Sequence, residues 1–132
     1  MKLMFEKFAS KHKDKLYLVF RVLVGLMFMQ HGAQKLFGYL GGPQAELMSL
    51  FGLAGIFEFF GGLALALGLF TRVVAIITSL EMLYAFFMVH AKGGEFIPIL
   101  NKGELALMYF AAFLVLIAFG GGKWSFDENK KS

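Results

Sequence analysis

The chain has 132 residues, 58% of them hydrophobic and 17% charged, with 17 phenylalanines, no cysteine and a formal net charge of +4. So apolar a composition excludes an ordinary soluble domain, and the lack of cysteine excludes a disulfide framework, a thiol relay, Cys-ligated iron–sulfur clusters and covalently attached haem. The positive charge does not mark a nucleic-acid partner, because the lysines gather at the chain ends and beside the hydrophobic runs rather than among aromatics.

Residues 1–15 carry Lys2, Lys7, Lys11, Lys13 and Lys15 and place Met4, Phe5 and Phe8 on one helical face. The pattern suits a short helix lying in the headgroup region, with a disordered basic tail as the alternative. Residues 16–37 form the first hydrophobic segment and the most polar one, with Arg21 near its start and Gln30, His31, Gln34 and Lys35 near its end. No small-residue cleavage site follows it and three more apolar runs do, so it reads as a retained transmembrane helix and not a signal peptide. Gly41-Gly42-Pro43 then breaks the chain.

The second run, residues 47–70, is 24 residues long and holds one charge, Glu58, at its centre. Eighteen or more apolar residues read as a bilayer-spanning helix. Only Thr71 and Arg72 separate it from the third run, residues 73–91, which forces a helical hairpin and places Glu81 near the middle of the third span. Gly93-Gly94 and Pro98 end that run, and the fourth, residues 105–120, is apolar and at the short end of the ~17–25 residues a span requires. A polar tail, residues 123–132, closes the chain, and no repeat or linker divides it. The expected fold is all-α, an antiparallel four-transmembrane-helix bundle over residues 16–122.

Basic residues orient these spans. With the N-terminus in the cytoplasm, Lys2, Lys7, Lys11, Lys13, Lys15, Arg21, Arg72, Lys123, Lys130 and Lys131 fall inside, against Lys35, Lys92 and Lys102 outside. Ten against three is a clear positive-inside bias, so both termini are expected in the cytoplasm.

That topology sorts the polar side chains by depth. Arg21 and Arg72 lie at the inner face, Glu58 and Glu81 at mid-depth, and His31, Gln34, Lys35, His90, Asn101 and Glu104 at the outer end. An ionised group at mid-bilayer costs several kcal/mol, about 2.5–3.5 on insertion scales, so the two acids need a partner or a proton. Glu58 is expected to face the bundle interior, because Gly61 and Gly68 share its side of the helix and Gly52, Gly55 and Gly62 widen that small-residue surface. Arg21 either reaches headgroup phosphates or pairs with a glutamate across the bundle, which makes Arg21 and Glu58 candidates for a structural ion pair.

The outer group has a definite chemical reading. His31 and Lys35 stand four residues apart and Gln34 three from His31, so they share a helix face. A quinone ring binds in an apolar slot through hydrogen bonds to its oxygens and exchanges protons with groups that titrate near neutrality, a task suited to histidine. His31, Lys35, Glu81, His90 and Glu104 are therefore the candidate catalytic groups, and His31, Gln34, Lys35, Glu58 and Asn101 the candidate binding groups. Lys35 would stabilise charge on a ring oxygen, and Glu81 or Glu104 would exchange protons with water. The plainer alternative is that His31 and His90 satisfy each other and nearby carbonyls at helix ends. A bis-histidine haem between His31 and His90 has no specific support, nor does a metal on His31, His90 and Glu104, which come from separate helices without an i, i+3 or i, i+4 pair. No haem or metal is expected. Phe57, Phe59 and Phe60 beside Glu58, and Phe86 and Phe87 beyond Glu81, serve mainly packing and lipid contact.

Read together, Arg21-x3-Gly25, His31-Gly32-x2-Lys35-Leu36, Glu58-x2-Gly61-Gly62-x5-Gly68-Leu69-x-Thr71-Arg72, Asn101-x2-Glu104 and Gly120-Gly121-Gly122-Lys123-Trp124-Ser125-x-Asp127 resemble the DoxX family of small bacterial membrane proteins. The resemblance implies a four-helix protein of the bacterial cytoplasmic membrane, in a family named for likeness to a subunit of thiosulfate:quinone oxidoreductase and associated with quinone-linked or oxidative-stress roles. Arg21, His31, Lys35, Glu58, Asn101 and Glu104 stand on the matching positions, whereas Glu81 and His90 rest on the physical argument alone. Two functions follow as expectations: a quinone-interacting oxidoreductase subunit whose electrons come from a redox partner protein, or a non-catalytic scaffold or assembly factor for partner proteins. Either would work from within the lipid bilayer.

Overall fold

The structure, a computed structural model, describes residues 1–130; Lys131 of the basic tail lies outside them. Among the described residues every regular element is helical: α1 (Lys2–Phe37), α2 (Leu50–Leu67), α3 (Thr71–Ala85), α4 (Pro98–Asn101), α5 (Glu104–Phe119) and α6 (Phe126–Lys130), with one short 3₁₀ turn at Tyr39–Gly41. Three helices are long and apolar enough to cross a membrane, Lys2–Phe37, Leu50–Leu67 and Thr71–His90; the apolar α5 is shorter, at 16 residues.

Helix ends follow from local chemistry. At 36 residues α1 is about 54 Å long, so the basic segment is a helical continuation of the first apolar run and not a disordered tail. It stops where Gly38 takes a left-handed conformation (φ 68°) and its N–H bonds the Gln34 carbonyl. Ser49 caps the start of α2, its hydroxyl accepting the Gly52 N–H at 3.0 Å. The turn between α2 and α3 is residues 68–70 and not Thr71 and Arg72: Gly68 and Phe70 both take left-handed conformations, and Thr71 already opens the next helix. Asp127, from the far end of the chain, receives the Phe70 and Thr71 N–H groups at 2.7 and 2.9 Å, and so caps α3 from outside. Beyond Ala85 the helix continues as one π-helical turn, Phe86–His90, a widening found mostly at functional positions.

Glycine sets the closest helix contact. Gly25, Gly32 and Lys35 of α1 meet Gly62 with Ala66, Phe59 and Gly55 of α2 in turn, so these two helices run in opposite directions. Likewise Arg72, at the start of α3, reaches carbonyls at the end of α5, while Phe86 meets Gly103 just before α5. A core of Phe28, Leu65, Ala75, Met82, Tyr109, Phe113 and Leu116 fills the space between, with Phe28 packing on Phe113 and Tyr109 at ring separations of 4.9 and 5.1 Å. Outward faces carry Leu53, Phe60, Leu80 and Leu114, as a lipid-facing surface would.

A Cβ on Gly25 would lie 2.6 Å from the Gly62 carbonyl oxygen, whereas nothing stands within 4 Å of a Cβ on Gly93. Gly25→Ala is therefore expected to force α1 and α2 apart and cost about 1–3 kcal/mol, with Gly93→Ala within about 0.5 kcal/mol of wild type. Denaturant unfolding in detergent micelles measures both, and an unchanged Gly25→Ala would contradict the close packing.

Candidate functional site

One cavity of about 260 Å³ lies between the helices, lined by Phe28, His31 and Lys35 of α1, Glu58 of α2, Met82, Ala85 and His90 of α3 and its π turn, and Lys102, Leu105, Ala106 and Tyr109 at and within α5. Helical spacing explains the gathering: 28, 31 and 35 share a face of α1, and 105, 106 and 109 share a face of α5. The π turn matters as well, since it sets the register in which the α3 helix ends at His90.

Lys35 and Glu58 form the centre of the site. The Lys35 ammonium donates to Glu58 Oε2, and Glu58 is 1% exposed, so this is a buried, charge-assisted contact. Lys35 also stands 4.8 Å over the Phe51 ring, a cation–π contact that holds the ammonium on α2. Gly61 of α2 packs on Thr78 of α3, and in this antiparallel hairpin that register sets Glu81 opposite Glu58; Glu81 Oε1 is buried with no hydrogen-bond partner among the described residues. His31 sits edge-on to Tyr109, ring centroids 5.7 Å apart and planes 88° apart. His90 Nδ1 lies 3.3 Å from the Asn101 carbonyl oxygen.

Other expected members fall elsewhere. Gln34 donates to the Leu40 carbonyl at 3.1 Å and so secures the turn after α1. The Asn101 side chain folds the loop before α5, donating to the Glu95 carbonyl at 2.9 Å and accepting the Gly103 N–H at 2.8 Å. Glu104 is exposed in the first turn of α5, where its charge suits the helix dipole but not the cavity. Tyr109 and Lys102 line the cavity and were not anticipated. For Tyr109 a signal existed: it is the one residue with a polar tip within residues 105–120.

The expected pairing of Arg21 with Glu58 is not made. Glu58 stands at the depth of Lys35, while Arg21 stands beside Leu65 and Ala66, seven or eight residues and about 10–12 Å further along α2. Arg21 is 1% exposed, so it does not reach headgroups either. Its guanidinium donates to the carbonyls of Leu65, Gly121, Ala66 and Trp124 at 3.0, 2.5, 3.2 and 3.4 Å, tying the end of α2 to the segment after α5. Those carbonyls include the last-turn acceptors that a helix leaves unpaired, and a five-donor fork suits them. Tyr17 donates to the Gly120 carbonyl, and Arg72 to those of Ile117 and Ala118 at 3.0 and 3.3 Å, so three side chains gather the end of α5.

Comparison with known proteins agrees with this architecture. The family model for DoxX matches residues 16–91, which takes in α1 from its apolar part, α2, α3 and the π turn. An uncharacterized protein of Haemophilus influenzae is 39% identical over 126 residues, covering 91% of this chain and 94% of its own length. The inner membrane protein YqjF of Escherichia coli is 33% identical over 135 residues, covering 92% of this chain and 98% of its own. No solved structure matches the chain. With more than half its length inside the family model and two relatives alike over about nine tenths of it, the chain belongs to the DoxX family and is a multi-pass protein of the bacterial inner membrane.

Proposed function

We propose that the protein is a quinone-interacting subunit of a membrane redox system, and that the cavity between α1, α3 and α5 receives the ring. The observation that carries this is the convergence of His31, Lys35, His90 and Tyr109 on one cavity walled by Phe28, Met82 and Leu105. At about 260 Å³ the cavity lies just below the ~300–1,000 Å³ of drug-sized sites, room for a ring headgroup with its tail left among lipids. A bound quinone supplies reversible two-electron, two-proton chemistry. The chain's own groups hold and orient it: Lys35 and the Tyr109 hydroxyl are donors for ring oxygens, and the imidazoles of His31 and His90 give or take the ring's protons. Electrons come from a redox partner protein, because the chain has no cysteine for a thiol relay or cluster.

In this reading the chain crosses the bilayer four times with both termini in the cytoplasm, α5 included. Its 16 residues span about 24 Å against a hydrocarbon core of ~30 Å, which local bilayer thinning accommodates. The amphipathic start of α1, with Met4, Phe5 and Phe8 exposed among lysines, rests at the inner headgroups.

A second reading, a scaffold or assembly factor for partner proteins, draws on the pairing of Lys35 with Glu58 and on the backbone bonds of Gln34 and Asn101. One experiment separates the two. Protein purified in mild detergent is expected to retain menaquinone or ubiquinone, measured by lipid extraction and mass spectrometry. His31→Ala is expected to lower that retention by about fivefold or more, the effect of losing roughly one hydrogen bond. Absence of any quinone from the wild type decides for the scaffold.

A further inference from the structure

The Lys35, Glu58 and Glu81 side chains form a chemically unbalanced trio. One ammonium faces two carboxyls: Lys35 donates to Glu58 Oε2, the packing of Gly61 on Thr78 sets Glu81 of α3 opposite Glu58 of α2, and Glu81 Oε1 is buried without a partner among the described residues. Other groups near them do not redress the balance. Around Glu81, α2 contributes Glu58 and α1 contributes Lys35. Around Glu58, α1 adds His31 and α5 adds the Tyr109 hydroxyl, and neither brings a permanent positive charge. Arg21, also buried, is held by backbone carbonyls further along α2. Two ionised carboxylates in contact repel, and in a water-poor interior the repulsion is weakly screened, so like-charged carboxyl pairs hold one proton between them. With that proton the trio sums to zero charge.

We propose that Glu58 and Glu81 share a single proton beside Lys35, forming a neutral proton store that opens onto the cavity through Glu58. Glu58 is the one acid of the pair that lines the cavity; Glu81 lies behind it on α3. Access of a ring to this proton rests on the quinone reading above. The store itself does not, since it follows from three side chains of the chain itself.

The test is infrared spectroscopy of the full chain in lipid nanodiscs, first without ligand and then with menadione as the ring probe. Without ligand, the expected result at neutral pH is a carboxylic acid C=O band that shifts on deuterium exchange and on ¹³C labelling of glutamate. Glu81→Gln should abolish it, since Glu58 then faces Lys35 alone, and Glu6→Gln should keep it, because Glu6 is exposed near the start of α1, far along that helix from Lys35. No such band in the wild type, or an unchanged band in Glu81→Gln, overturns the shared proton. The absence of a ¹³C-shifted band in the unmutated protein overturns the store even when a variant fails to fold. Menadione is expected to displace the band; a band that is present but unmoved by bound menadione retains the store and overturns its link to the ring. Whether menadione binds at all is read separately, from its retention in the nanodiscs.

Discussion

Lys35→Met is expected to lower the unfolding free energy by about 3 kcal/mol, the larger part of which Glu58→Gln in the same chain should restore. Removing one partner of a buried pair leaves the other charge unpaired, and that residual charge accounts for most of the loss. Here the remaining group is Glu58, 1% exposed, whose other neighbour is a second acid, Glu81, and not a second cation. The double variant replaces both charges by groups that are neutral, and a neutral Gln beside Glu81 also supplies the amide donors that its buried Oε1 lacks. Unfolding of the four proteins, the wild type, two single variants and the double, in matched detergent gives the coupling directly. Additive losses would mean that the contact contributes nothing to stability and that the pair is not closed in the folded protein.

Arg21 carries the second large effect. Arg21→Ala is expected to cost about 3–5 kcal/mol, and Arg21→Lys to recover less than half of it. The reason lies in geometry. Four carbonyls from two separate stretches of backbone, Leu65 and Ala66 at the end of α2 and Gly121 and Trp124 beyond α5, are served by one planar fork. An ammonium has three donors around one point and cannot reach both stretches at once. Arg72→Lys makes the useful contrast, because Arg72 is exposed and its two carbonyl partners, Ile117 and Ala118, are adjacent; a change within about 1 kcal/mol is expected there. Equal losses for Arg21→Lys and Arg72→Lys would remove the special role given to Arg21.

How far these features are legible without coordinates depends on their range. The apolar runs and their glycine stops are local signals, and Gly38 and Gly68 do end α1 and α2 in left-handed conformations, since only glycine takes those without strain. That Glu58 faces inward is also readable, because its glycine neighbours permit close approach on that side. Which cation meets it is not. The helical wheel gives a direction but no depth, and choosing between Arg21 and Lys35 requires the register of α1 against α2, fixed by glycines such as Gly25 and Gly62 that carry no charge to reveal it. Short-range satisfaction misleads in the same way: Gln34 and Asn101 have the polarity of ligand contacts, yet each finds a partner within six residues. Tyr109 enters the cavity through the spacing of α5, which has apolar residues all round and therefore offers no amphipathic clue to its inner face.

Asp127 makes the hairpin between α2 and α3 depend on a distant part of the chain. The carboxylate that seals the start of α3 stands 56 residues beyond it in sequence, so that helix end is closed only once α6 has folded back against the hairpin. The bend is thus fastened by tertiary packing and not by its own residues.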